Sequence, residues 1–327
     1  MKIELDEKTI IEKVNEVFVK LDEDGGLKRV YLLACGGSHA NLAPVNYLLN
    51  EEALTIRCEN INAMEFADAT PKACDKNALC IGLSLGGNTF ETVNALKKAK
   101  ECGAKIITVG GVEKCGIAEY SDCHFVSGID QVTYGHVGLV TRIGFEILNH
   151  FEGYKNYEDV RDAYTKINKV AAEAKKKAKK QGQKWAEKYK DIDTIYTLAS
   201  GNLYEQAYET SICFMMEMQW INTNAIHSGE YFHGPFEVTS EHTPFVVLES
   251  LGKTRALDER ALKFLNKYCK DVEVYDAKEY GIDKLGSAAE YLQPIIFGEI
   301  VMTIMLESMK ARNHPIFRRR YMFREEY

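Results

Sequence analysis

The stretch VYLLACGG, residues 30–37, decides the fold. An unbroken apolar run that ends in two glycines marks a strand buried on both faces and leaving its sheet through a tight turn. It recurs as ALCIGLSLGG (78–87) and KIITVGG (105–111), with helically spaced stretches such as NTFETVNALKKAKECG (88–103) between. Strand and helix alternating in this way predict a parallel sheet. After a long helical region from about 157 to 189, the rhythm resumes with TIYTLASG (194–201), PFVVLESLG (244–252) and VEVYDA (272–277). Tyr31 and Tyr196 lie 196 − 31 = 165 positions apart, and Leu83 and Leu248 the same 248 − 83 = 165. We read an α/β protein of two domains, 1–155 and 156–327. Each is a doubly wound, flavodoxin-like parallel sheet flanked by helices, and the two are related by internal duplication.

Composition narrows the function. With 327 residues, 46% of them hydrophobic and 27% charged, the chain can bury two modest cores and has no disordered tract. A formal charge of −7 argues against a nucleic-acid partner, because phosphate neutralisation needs a basic face. The lysine-rich AEAKKKAKKQGQKWAEK (172–188) is built of strong helix formers and reads as a solvated helix. Nine cysteines without a CxxC pair fit a reducing cytoplasm. The N-terminal MKIELDEKTIIEKVNEVF reads as an acidic amphipathic helix, not a signal peptide. No apolar run approaches a bilayer span, so no membrane partner is expected.

Open α/β sheets bind ligands outside the carboxyl ends of their strands, where helix N-termini expose N–H groups. The first-half exits are ACGGSHANLAP (34–44) and SLGGNTFET (84–92). Their glycines and hydroxyl residues suit a phosphate, with Gly37, Ser38, Ser84, Gly87, Asn88 and Thr89 as the binding residues. Neither loop is a dinucleotide or nucleotide-triphosphate motif. The corresponding second-half loops are SGNLYEQ and ESLGKTRALDER, in which Glu249 stands at the position of Ser84. A carboxylate there repels phosphate, so one half binds and the other has diverged.

The second half carries proton-handling groups instead. NLYEQAYETSICFMMEMQW (202–220) reads as a helix whose last turns are apolar except for Glu217. A carboxylate so surrounded has its charged form disfavoured, which suits a general base, although an arginine or backbone partner would equally explain it. The loop HSGEYFHGPFE (227–237) adds His233, Glu230 and His227. Histidine titrates near neutrality and suits a general acid. Glu230 is a rival base or a substrate contact, and His227 reads as structural. No HExxH or spaced Cys/His cluster occurs, so neither a metal site nor a cofactor is expected.

Taken together, Gly-Gly-Ser at the first exit, SxxGxTxET at the second, and an acid followed sixteen residues later by the histidine of HGP resemble the sugar isomerase (SIS) family of phosphosugar proteins. SGEYFHGPFE and the ending NHPIFRRRYMFREEY (313–327) are most similar to the fructosamine-6-phosphate deglycases, more distantly to the isomerase half of glucosamine-6-phosphate synthase. The resemblance implies that Glu217 shuttles a proton and His233 assists ring opening of an Amadori phosphate such as fructoselysine 6-phosphate. It implies that the tail meets substrate through Arg320 and Tyr321. It also implies a homodimer or dimer of dimers with sites at subunit contacts. One departure is Gly86, where many relatives have a serine. The amidotransferase relatives need a glutaminase segment ahead of MKIEL, and no lysine follows Lys310 to form an imine from the tail. A sugar-phosphate isomerase, an amino-sugar phosphate deaminase and a non-catalytic sensor are the alternatives.

Overall fold

The structure, a computed structural model, describes residues 5–326. The start of the predicted N-terminal helix, residues 1–4, and the last tail residue lie outside them. The chain divides into two compact units, the first ending at Tyr164 and the second beginning at Thr165. That division falls inside a long helix, a few residues beyond the boundary expected from sequence.

The first unit contains, in order, α1 (Glu7–Glu23), β1 (Arg29–Ala34), α2 (Gly36–Glu52), β2 (Arg57–Asn62), α3 (Ala63–Asp68), β3 (Ala78–Ser84) and α4 (Phe90–Glu101). It continues with β4 (Lys105–Gly110), α5 (Gly116–Glu119), β5 (Cys123–Val126), α6 (His136–Glu152) and the start of α7 (Tyr157–Tyr189). Its five strands are parallel in the order β2-β1-β3-β4-β5. The register pairs Ala34 with Asn62 and Ser84 with Gly110, so the carboxyl ends of four strands lie level. The chain runs from β1 to β2 on one side and from β3 to β4 on the other, so the order reverses between β1 and β3, the place where open α/β sheets bind ligands.

Side chains alternate across β1. Tyr31 and Leu33 join Phe66, Leu96, Ile106 and Ile117 in one core layer, while Val30 and Leu32 are fully buried in the same strand. Asp6 caps α1 by accepting from the N–H of Thr9 at 2.7 Å, and Ile10, Val14, Val17, Phe18 and Leu21 form its buried stripe.

The second unit follows the same order with one strand fewer. It holds β6 (Thr194–Ala199), α8 (Tyr204–Glu209), β7 (Asn222–His227), β8 (Phe245–Glu249), α9 (Arg255–Tyr268), β9 (Val272–Asp276) and α10 (Ala289–Ala311). The strands are parallel, ordered β7-β6-β8-β9. Two corrections arise here. The stretch after α8 is not α-helical: Thr210–Glu217 is an eight-residue π-helix. And an apolar stretch, Ile282–Ala311, is by length and composition enough to cross a bilayer; 67% of its most apolar window is buried inside the protein, as expected of a core helix. Glu290 and Glu299 interrupt the run in sequence.

An ion pair lies deep in the first unit. Arg142, whose side chain is 5% exposed, donates to Glu146 at 2.5 Å and to Glu7 at 2.8 Å, and Tyr157 donates to both Glu146 oxygens. Burial works against the Arg142 charge, but Glu146 and Glu7 outweigh it and raise its pKa. Arg142→Met should cost about 3–5 kcal/mol in chemical denaturation, because it strands the Glu146 carboxylate. Pairing it with Glu146→Met should recover most of that loss.

Candidate functional site

Both first-unit exits begin at helix starts that no side chain caps: Cys35 precedes α2 and Thr89 precedes α4. Their first N–H groups therefore face outward as orphan donors. Gly36 adopts φ +56°, and a Cβ built on it would meet nothing within 4 Å. Gly37 and Ser38 occupy the first turn of α2, and the half-buried Ser38 hydroxyl has no partner among the described residues.

The second loop is braced from within. Ser84 is 2% exposed, its Oγ lies 2.9 Å from Thr89 Oγ1, and the Gly87 N–H donates to it at 3.1 Å. Gly87 has φ +73°, and any Cβ there would collide with Cys115. Asn88 ties the loop to its neighbour, since its Oδ1 accepts from the Gly116 N–H at 2.8 Å. Its side chain thus shapes the loop from behind. At Gly86 a Cβ would meet open space, so the serine missing there would fit.

The second unit has the same glycines at the same offset, in a different state. Gly201 (φ +53°) stands 201 − 36 = 165 positions after Gly36, and Gly252 (φ +92°) 252 − 87 = 165 after Gly87. Space beside Gly201 is taken by Thr254, and beside Gly252 by the Glu290 carboxylate, which also accepts from the Lys253 N–H at 3.3 Å. Glu249, at the position of Ser84, pairs with Arg255 at 2.7 Å, and Arg255 clamps Asp276 at 2.8 and 2.9 Å. Burial, then Asp276, pushes the Glu249 pKa up, with Arg255 opposing. The second pair of exits is filled by the protein's own side chains, a threonine at one and a carboxylate at the other.

Glu217 is the last residue of the π-helix, a form that is rare and concentrated at functional sites. Of the two readings the sequence left open for Glu217, the structure has the arginine partner: Arg319 donates to Glu217 Oε1 at 2.6 Å, with the two side chains 24% (Glu217) and 11% (Arg319) exposed. No sequence pattern links positions 217 and 319. Arg320, the expected substrate contact, instead lies 4.0 Å over the Trp220 ring, and Tyr321 is 69% exposed. Trp220 itself has φ +57° and an edge contact with His314 at 4.5 Å. Burial first, then the surrounding Arg318, Arg312, Arg320 and Arg319, lowers the His314 pKa.

In the loop 227–237, Tyr231 is fully buried against Phe236, Phe245 and Phe264, and its hydroxyl meets Thr239 Oγ1 at 2.6 Å. That anchor fixes the turn in which the His233 N–H donates to the Glu230 carbonyl at 2.9 Å. His233 and Glu230 are both exposed. His227 accepts from the Gly229 N–H at 3.1 Å and packs edge-on against Tyr204, a structural arrangement. Among the described residues no cluster of His, Cys, Asp or Glu has metal-holding geometry.

Two parallel sheets in this strand order, with glycine-rich exits at the reversal, define an α/β protein of the SIS type. The chain belongs to the SIS-domain family: the SIS domain matches residues 27–143. It is 34% identical to the fructosamine deglycase FrlB of Bacillus subtilis (strain 168), across 92% of this chain and 93% of that one. It is 26% identical to the fructoselysine 6-phosphate deglycase of Escherichia coli (strain K12), covering 83% and 78%. A more distant relative is the glutamine--fructose-6-phosphate aminotransferase of Clostridium tetani, 26% identical across 83% of this chain and 44% of that one. A crystal structure of a candidate phosphosugar isomerase from Salmonella typhimurium LT2 superposes with a TM-score of 0.94 at 35% identity, covering 97% of each chain.

The loop geometry makes opposite forecasts for adjacent glycines. Gly87→Ala should destabilise the protein by about 1–3 kcal/mol in chemical denaturation, since a left-handed backbone and the Cys115 contact both resist a side chain. Gly86→Ser should leave the denaturation free energy within about 0.5 kcal/mol of its original value, because open space receives the side chain.

Proposed function

We propose that this protein is a deglycase that cleaves a fructosyl-amine 6-phosphate, such as fructoselysine 6-phosphate, to glucose 6-phosphate and the free amine. The end-to-end match to a fructosamine deglycase carries this reading, and the setting of Glu217 supports the chemistry. The phosphate is assigned to the open first-unit loops: Gly37 and Ser38 at one exit, Ser84, Gly87, Asn88 and Thr89 at the other. Asn88 acts there by bracing. The occupied loops of the second unit, at matching glycines and a constant offset, support a duplication in which one copy kept the anion site.

In the reaction we assign, His233 gives a proton to the ring oxygen and the ketosamine opens. Glu217 then takes a proton from C1, beside the C2 carbonyl, whose oxygen takes up a proton from solvent, and an enaminol forms. Returning that proton at C2 gives an aldose imine. Water adds to its C1, and cleavage of the C1–N bond releases the amine and glucose 6-phosphate. No electron donor or acceptor is needed, so acid/base groups suffice. Glu230, exposed in the His233 turn, is assigned to the amine portion of the substrate, and Arg320 and Tyr321 to the rim of the tail. We also propose a cytoplasmic homodimer or dimer of dimers. The exposed His233, with no side-chain hydrogen bond among the described residues, is free to serve a second copy.

Release of glucose 6-phosphate, followed with a coupled dehydrogenase over a panel of phosphorylated Amadori compounds, should be detected for at least one of them. No release from any would overturn the reading, and ammonia release or plain aldose–ketose exchange would favour a deaminase or isomerase. Glu217→Gln and His233→Asn should each lower kcat by about a hundredfold or more while glucose 6-phosphate binding persists.

A further inference from the structure

We propose that Arg319 is a positioning residue for Glu217: its guanidinium holds one carboxylate oxygen so that the other is presented for proton transfer. This rests on the assignment of Glu217 as the base. The contact is one-sided, Arg319 Nη2 to Glu217 Oε1 at 2.6 Å, and no other hydrogen bond reaches the carboxylate among the described residues. Oε2 is therefore unclaimed. An arginine stays charged throughout the working pH range, so it cannot itself give up the proton; it can only fix and balance the carboxylate.

Arg319 is held as firmly as the group it holds. Its Nη1 donates to the carbonyls of Ile316 and, at 3.2 Å, Arg318, and its side chain is only 11% exposed. The tail on both sides is fastened to the residues that directly follow Glu217. Gln219 Nε2 donates to the His314 carbonyl at 3.1 Å, Arg312 donates to the Gln219 carbonyl at 3.4 Å, and Arg320 lies 4.0 Å over Trp220. Trp220 accepts a left-handed backbone, φ +57°, to receive that cation, a conformation that costs on the order of 1 kcal/mol and persists only where its surroundings enforce it. Glu217 and Arg319 thus belong to one closed ring of contacts, closed a second time at Trp220. A surface tail would need neither the buried guanidinium nor the strained tryptophan.

The test compares Arg319→Ala, Arg319→Lys and Glu217→Gln in the coupled glucose 6-phosphate assay, with thermal melting as the control for folding. For Arg319→Ala we expect kcat to fall by about a hundredfold with KM changed less than about threefold, as when one charge-assisted donor is lost. Arg319→Lys should restore part of the rate, and added guanidinium chloride at millimolar concentration should restore part of it to Arg319→Ala but none to Glu217→Gln. Unchanged or faster turnover in Arg319→Ala, beside an inactive Glu217→Gln, would overturn the positioning role alone. Loss of rate with no rescue by lysine or guanidinium would do the same, marking the arginine as a fold anchor. Full turnover in Glu217→Gln would overturn the assignment of the base, and this proposal with it.

Discussion

The architecture of both units depends on how a parallel strand turns into a helix. At the carboxyl edge of the sheet the chain must reverse within two or three residues, and the left-handed backbone needed there excludes most side chains. Gly36, Gly87, Gly201 and Gly252 meet that demand in two units. Of the four, only Gly36 has open space beside it; Gly87 lies against Cys115, Gly201 against Thr254 and Gly252 against Glu290. An uncapped helix start is thus a by-product of making the turn, and the two units differ in what fills the space beside their glycines.

Much of this was legible in the sequence. Strands β1, β3, β4, β6, β8 and β9 stand out because most are buried on both faces, so their residues are apolar without alternation. Strands β2, β5 and β7 were missed for the converse reason. They lie at sheet edges, and RCENIN and NTNAIH carry asparagines and a glutamate on half-exposed faces. The glycines and hydroxyls of the first-unit loops announce themselves because local backbone geometry dictates them.

The surroundings of Glu217 were not legible, and the causes are specific. A π-helix has no composition of its own; ICFMME reads as an ordinary apolar α-helix until the hydrogen bonds shift to the i+5 pattern. Its partner Arg319 lies 102 positions away among four arginines of the tail, and sequence cannot say which of them turns inward. Arg320, the more suggestive choice beside Tyr321, spends its charge on an indole ring. Tyr231 tells the opposite story: hidden inside a polar loop, it is the apolar anchor that gives His233 a fixed exit. Loops of this kind are legible in their polar residues before they are legible in their support.

The Glu290 carboxylate beside Gly252 makes the second unit a complex with a tethered ligand. A group attached to the same chain has an effective concentration that no metabolite pool can dilute, so those backbone donors stay satisfied whatever the cell contains. The first unit has no such resident, and a bound phosphate would add stability in proportion to the logarithm of its concentration. The two halves, alike in backbone, therefore differ in occupancy: beside Gly252 the space is filled from within the chain, and beside Gly36 it is open.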